Sequence, residues 1–115
     1  FRANQGVNDI YFVFPATAVP RTVSFAKYQL IQRTGTTLGS AQMQLAIYNL
    51  DGSLVNEIGD WVDLTTISTD AWWNFQLTTN VEQLNMLPGQ FLAAHFLIDA
   101  AANFEAYPIF DIELR

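Results

Sequence analysis

The chain has no cysteine, which removes at a stroke a disulfide framework, a thiolate zinc site and a cysteine nucleophile. Charge is scarce as well: 14% of its 115 residues are charged, against roughly 25% in ordinary soluble domains. Some surface that would normally be charged is therefore covered by another chain or built from neutral polar residues, and Thr, Gln and Asn fill many of those places. Basic residues are the scarcest charge. Five Lys and Arg stand against eleven Asp and Glu, for a formal charge of -6, and such a surface repels phosphate backbones, which argues against nucleic-acid binding as a main function. The longest apolar runs, such as residues 91–98, fall far short of the roughly 20 that a membrane helix needs, so membrane insertion is not expected. No basic, apolar, small-residue signal opens the chain. It begins at Phe1 without methionine, which suggests a processed product or part of a longer polypeptide.

What is abundant is apolar and aromatic. Half the residues are hydrophobic, with nine Phe, three Trp and four Tyr, enough for one domain with a substantial core. Residues 41–54 (A-Q-M-Q-L-A-I-Y-N-L-D-G-S-L) organise the rest. Met43, Leu45 and Ile47 fall on one side of an extended chain and Gln42, Gln44 and Tyr48 on the other, the two-residue period of a half-buried strand. Asp51-Gly52 supplies a tight reversal, and Leu54-Val55 resumes the apolar run, which together predict a β-hairpin on a hydrophobic core.

Around that hairpin, residues 1–8 read as a polar lead-in and residues 10–14 (I-Y-F-V-F) as a strand stopped by Pro15. In residues 21–33 the alternation slips: Val23 and Phe25 share one side, whereas Tyr28 and Leu30 share the other. A bulge near Ala26-Lys27, or cover on both faces, would reconcile them. Residues 34–40 read as a turn-rich loop and residues 60–71 as a long connection. Trp73, Phe75 and Leu77 alternate with Trp72, Asn74 and Gln76 as a strand, with Trp73 inward and Trp72 outward. Pro88-Gly89 cuts off the weak helical spacing of residues 81–87. Residues 90–99 are apolar on both sides, which predicts a central strand under a second layer or an outer face that meets another subunit. Residues 100–107 read as a loop bearing Phe104 and Tyr107, and residues 110–114 as a final alternating strand.

About seven or eight strands without a sustained helical period predict an all-β fold, an antiparallel two-sheet sandwich, with a jelly-roll connection as plausible as an immunoglobulin-like one. No linker divides residues 1–115, so a single domain is expected.

No residue set is a convincing reactive centre. His95, the single histidine, lies in the most apolar strand with no nucleophile motif nearby, and reads as structural or interfacial. The loop acids Asp51, Asp60, Asp63 and Asp70 lack the spacing of a calcium loop and read as solvated. No cofactor or metal is implied, and the chain is not expected to be an enzyme. The aromatic residues Trp61, Trp72, Trp73, Tyr48, Phe104 and Tyr107 are more informative. Flat rings stack on sugars while neighbouring amides and carboxylates take the hydroxyls. For Trp72, subunit contact or simple surface packing weighs more than sugar.

The run L-A-I-Y-N-L-D-G-S-L at residues 45–54, the tryptophan strand at 72–77 and L-P-G-Q-F-L-A-A at 87–94 form a pattern that resembles β-sandwich domains of bacteriophage tail fibres and other virion appendage or capsid-decoration proteins. It is also similar to jelly-roll carbohydrate-binding modules. The resemblance spans residues 41–99 and rests on turn and core positions, with Phe91 in place of a usual tyrosine. It implies a jelly-roll-like sandwich, a virion or extracellular location, and a non-enzymatic domain working as a homo-oligomer, commonly a trimer, that touches other virion proteins or a host-surface glycan. On that footing Trp72, Phe91, His95 and Leu97 are candidates for burial between subunits. The alternative is a glycan-binding module of a secreted or surface protein, with Trp61, Trp72 and Tyr107 as platforms.

Overall fold

A computed structural model describes residues 1–35 and 37–115. Its strands are β1 (Arg2–Ala3), β2 (Gly6–Val13), β3 (Arg21–Thr34), β4 (Thr37–Tyr48), β5 (Leu54–Glu57), β6 (Val62–Asp63), β7 (Trp73–Asn74), β8 (Asn85–Met86), β9 (Phe91–Ala100) and β10 (Phe104–Leu114). The helical element is one 3-10 turn, Val81–Leu84, and no helix among the described residues is long and apolar enough to cross a membrane.

The strands form two antiparallel sheets. One, called here the charged sheet, has the order β1-β10-β3-β7, with β8 also on β3; the other, the aromatic sheet, has the order β2-β9-β4-β5, with β6 also on β4. β1 to β4 alternate between the sheets, and the last two strands, β9 and β10, insert between early ones. This is the doubly nested Greek key of a jelly roll. Among the described residues there are ten strands where about seven or eight are expected, because β6 and β8 are two-residue additions to strands already paired.

The central hairpin forms as the alternation predicts. Met43, Leu45 and Ile47 are fully buried, and the reversal is fixed by Gly52 at φ +89° and by the Asp51 carboxylate, which accepts from the Ser53 amide at 2.9 Å and hydroxyl at 2.6 Å. Between the sheets lies an aromatic core. Phe96 packs on Phe12 at 5.4 Å from one sheet and on Phe110 at 6.4 Å from the other, while Phe75 bridges Tyr28 at 4.7 Å and Phe110 at 6.4 Å. Burying rings of this size supplies the main drive for closing the two layers.

Several expectations are corrected. Residues 1–8 are not a mere lead-in: β1 pairs with β10, and β2 begins at Gly6. The irregularity in β3 is not at Ala26-Lys27. Phe25 pairs with Glu113 and Val23 with Leu114, so Ser24 is the extra residue, and it is Val23 that joins Tyr28 and Leu30 in the core while Phe25 turns outward. A second shift, between Tyr107 and Pro108, absorbs a proline that donates nothing to the ladder.

The loop expected over residues 34–40 includes Thr36, outside the described residues; on either side, β3 runs to Thr34 and β4 starts at Thr37. The loop at 100–107 shrinks to residues 101–103, and Phe104 is core, not surface. The strand over residues 72–77 is only two residues long, and residues 60–71 include the short β6. Trp73 lies opposite inward Tyr28, yet remains 38% exposed, because β7 is an edge strand and its ring reaches the rim of the sandwich. Its indole N–H donates to the Ser68 carbonyl at 3.3 Å.

Candidate functional site: the outer face of the aromatic sheet

Antiparallel sandwiches usually turn polar side chains outward from each sheet. The aromatic sheet departs from this. Its edge strand β2 alternates inward Ile10 and Phe12 with outward Val7, Tyr11 and Val13, of which Val7 is 70% and Val13 61% exposed. On β9, Leu92, Ala94, Phe96 and Ile98 enter the core, so Phe91, Ala93, His95 and Leu97 face out.

The register places these residues in rows. Tyr11 lies beside His95, and His95 beside Gln44. One row along, Val13, Ala93, Ala46 and Glu57 stand side by side across all four strands; in the next, Phe91, Tyr48 and Leu54 do. Ala46 and Ala93 are small and completely covered by what surrounds them. They lie beneath the larger side chains of the rows on either side.

The rings themselves are ordered by stacking. Tyr11 lies flat on His95, with centroids 4.4 Å apart and planes 9° from parallel, and meets Tyr48 edge-on at 6.1 Å and 85°. Tyr48 stacks on Phe91 at 5.7 Å, and Trp61 approaches His95 at 5.5 Å and 63°. Such pairs hold one another in place at about 0.5 to 1.5 kcal/mol each beyond their buried area. His95 Nε2 is 2.7 Å from Asp9 Oδ1, the one imidazole–carboxylate contact on this face among the described residues. Burial pushes the Tyr48 hydroxyl above its ordinary value, and the nearby Tyr11 and Glu57 add to the rise.

Trp61 is held over the sheet by its own loop. Gln44, pointing outward yet 6% exposed, donates its amide to the Gly59 carbonyl at 3.1 Å, and Gly59 bridges to Leu77. That anchors residues 58–61 across β4. On one side of Trp61 is a pocket of about 270 Å³ with Tyr11, Tyr48, Leu54, Glu57 and His95 in its walls. On the other is a polar cleft of about 570 Å³ bounded by Glu57, Asp60, Trp61, Thr78 and Thr79. A third opening, about 530 Å³ and mainly apolar, lies away from this face, between Phe14, Val19, Met86, Leu92 and Leu114.

The residues singled out from sequence thus divide. Phe91, His95 and Leu97 stand together on β9, and Trp61 joins them through His95. Trp72 and Tyr107 belong to the opposite sheet: Lys27 Nζ sits 5.3 Å from the Trp72 ring, and the Tyr107 hydroxyl donates to outward-facing Glu105 at 3.3 Å. Neither the proposed interface set nor the proposed sugar platform is one continuous surface. Tyr11 and Glu57 are the residues that sequence reasoning passed over. The signal for Tyr11 was the strict alternation of residues 7, 9, 11 and 13; for Glu57, nothing local distinguishes it from other surface acids.

The loop acids serve the turns they sit in. Asp63 accepts from the Thr65 hydroxyl at 2.7 Å and amide at 2.9 Å, repeating the arrangement of Asp51 with Ser53, and these hydrogen bonds hold both carboxyls below their usual values. Among the described residues no group of three or more His, Asp or Glu is gathered as a metal site would need.

Fold and face together define a jelly-roll sandwich with one unusually aromatic outer surface. Comparison of the chain with protein-family models, with curated proteins and with solved structures yields no match.

Proposed function

We propose that this chain is a non-enzymatic structural or attachment domain of a virus particle, of the fibre, appendage or capsid-decoration kind, that works by homo-oligomeric assembly. Its location is then the virion or the extracellular space. The observation that carries the reading is the strip formed by Val7, Tyr11 and Val13 on edge strand β2 with Phe91 and Leu97 beside them on β9. An apolar strip interrupted only by Asp9, which is engaged by His95, next to an unpaired strand edge is costly to leave in water, and a second copy both covers it and removes the edge. A cyclic trimer, with each copy placing this strip against its neighbour, is the favoured closure. The low charge of the whole chain agrees with a surface partly covered by its own kind.

Mass measured by light scattering at micromolar concentration tests this. A stable oligomer that falls to monomer in Val13→Lys supports the reading. A wild-type monomer at about 100 μM sinks it.

The polar cleft beside Trp61 favours a second reading, a glycan-binding module. There an indole ring adjoins two carboxylates and two threonine hydroxyls, the mixture that sugars require. Retention on a glycan array that disappears in Trp61→Ala, from a monomeric protein, would select it.

A further inference from the structure

The two rows of rings around Ala46 and Ala93 do more than present an apolar surface. Tyr11 and Tyr48 meet at 85°, so they form the corner of a pocket rather than one flat platform, and Trp61 and His95 close it on a further side. Glu57 stands at the open edge, opposite Ala46. Among the described residues no Lys, Arg or His lies within ion-pair distance of Glu57. The volume, about 270 Å³, is below the roughly 300 to 1,000 Å³ of pockets for drug-sized ligands, and suits a compact head group.

We infer that this pocket binds a small organic cation, an alkylammonium head group of the trimethylammonium type, held by the ring faces of Tyr11, Tyr48 and Trp61 and balanced by Glu57. Ring quadrupoles attract a cation that has shed water, and methylated ammonium sheds it most easily. The alternatives fit worse. A sugar lacks partners here, since the Gln44 amide is committed to Gly59 and the ring walls stand at right angles. A metal ion would find one carboxylate and no further hard ligand. The titratable groups that face the pocket are Glu57, Tyr11, Tyr48 and His95, whose Nε2 is engaged by Asp9; the five Lys and Arg residues belong elsewhere in the fold, and the net charge of -6 draws cations toward the surface. The pocket shares Tyr11 with the strip proposed for assembly, while Tyr48, Leu54, Glu57 and Trp61 lie on the β5 side of it, and its walls come from one chain, so the inference does not require that assembly.

The test is a titration of the intact protein with tetramethylammonium chloride and with choline, followed by backbone amide NMR shifts, beside the uncharged choline isostere 3,3-dimethylbutan-1-ol. The expected result is saturable shifts around Ala46, Glu57 and Trp61, with the neutral isostere binding about tenfold more weakly. Glu57→Gln weakens the cation alone by about five- to tenfold, and Tyr48→Leu weakens it further. Comparing free choline with phosphatidylcholine vesicles locates the head group: tighter capture of vesicles assigns it to a surface, and equal affinity to a free ligand. Equal binding of cation and isostere, or no shift at these residues up to about 100 mM, overturns the inference. Light scattering on the same samples reports the oligomeric state separately, so a monomeric mass refutes the assembly and leaves the titration to judge the pocket.

Discussion

The two outer faces of the sandwich are built by the same alternation and end up chemically opposite. On the charged sheet, outward positions of β10 carry Glu105, Asp111 and Glu113, matched by Arg2 at 3.7 Å, Lys27 at 3.8 Å and Arg115 at 2.9 Å. Exposed pairs of this kind contribute about 0 to 1 kcal/mol each, so they keep the face in water more than they hold the fold together. On the aromatic sheet the equivalent positions carry rings and valines, with Asp9 and His95 as an isolated pair. Inward residues are alike on both sheets. The difference teaches that the core asks only for apolar side chains of fitting size, while the outer face is free to be spent on contact with something else.

The most disruptive way to probe this contrast is to remove what both faces share. Phe96→Ala empties the centre of the aromatic core and should cost about 3 to 5 kcal/mol in urea unfolding, abolishing any property of either face together. Gly35→Ala follows. Gly35 has φ +104°, and an added methyl would run into the Asn103 carbonyl and lie 2.9 Å from the Phe104 Cα, for an expected loss of about 2 to 4 kcal/mol measured the same way. Loss below about 1 kcal/mol would mean that the approach of the end of β3 to the start of β10 is looser than the geometry implies.

A gentler pair separates the faces. Val13→Lys on the aromatic sheet and Ile109→Lys on the charged sheet replace exposed residues, and each should change monomer stability by no more than about 0.5 kcal/mol. Association should respond to Val13→Lys alone, read as a fall in mass by sedimentation; equal loss in both variants erases the distinction. The smallest effect is that of acid. Hydroxyl and amide donors hold Asp51 and Asp63 below their ordinary values, and Arg115 and Ser24 do the same for Glu113. The unfolded chain protonates these groups near pH ~4 and the folded chain only lower, so their contribution is present at neutral pH and is lost as pH falls through the depressed values. Asp63→Asn should flatten the decline of thermal stability below about pH 4, and an unchanged slope would remove Asp63 from this account.

Much of the fold was legible. Alternation over residues 41–48 and the Asp51-Gly52 reversal give a hairpin whose inward side is the inward side found. In residues 21–33 the slip was visible and its place was not, because both Ser24 and Ala26-Lys27 restore a two-residue period, and only pairing with Glu113 and Leu114 selects Ser24. The site was legible in fragments: Phe91, His95 and Leu97 share a side of one strand, which periodicity reveals, but Trp72 and Tyr107 were grouped with Trp61 on chemistry alone and lie on the other sheet.

What the sequence by itself determined, then, is which residues of each strand share a face and that the strands close over one aromatic core. Those are properties of a single extended segment and of its total apolar content. Only the tertiary structure decided that Tyr11, His95 and Gln44 stand in one row, that Ala46 and Ala93 lie beneath larger neighbours, and that Glu57 guards the edge. The physical reason is that a two-residue period is blind to sliding by two, so lateral neighbours are chosen by which long-range register buries the whole inner face at once.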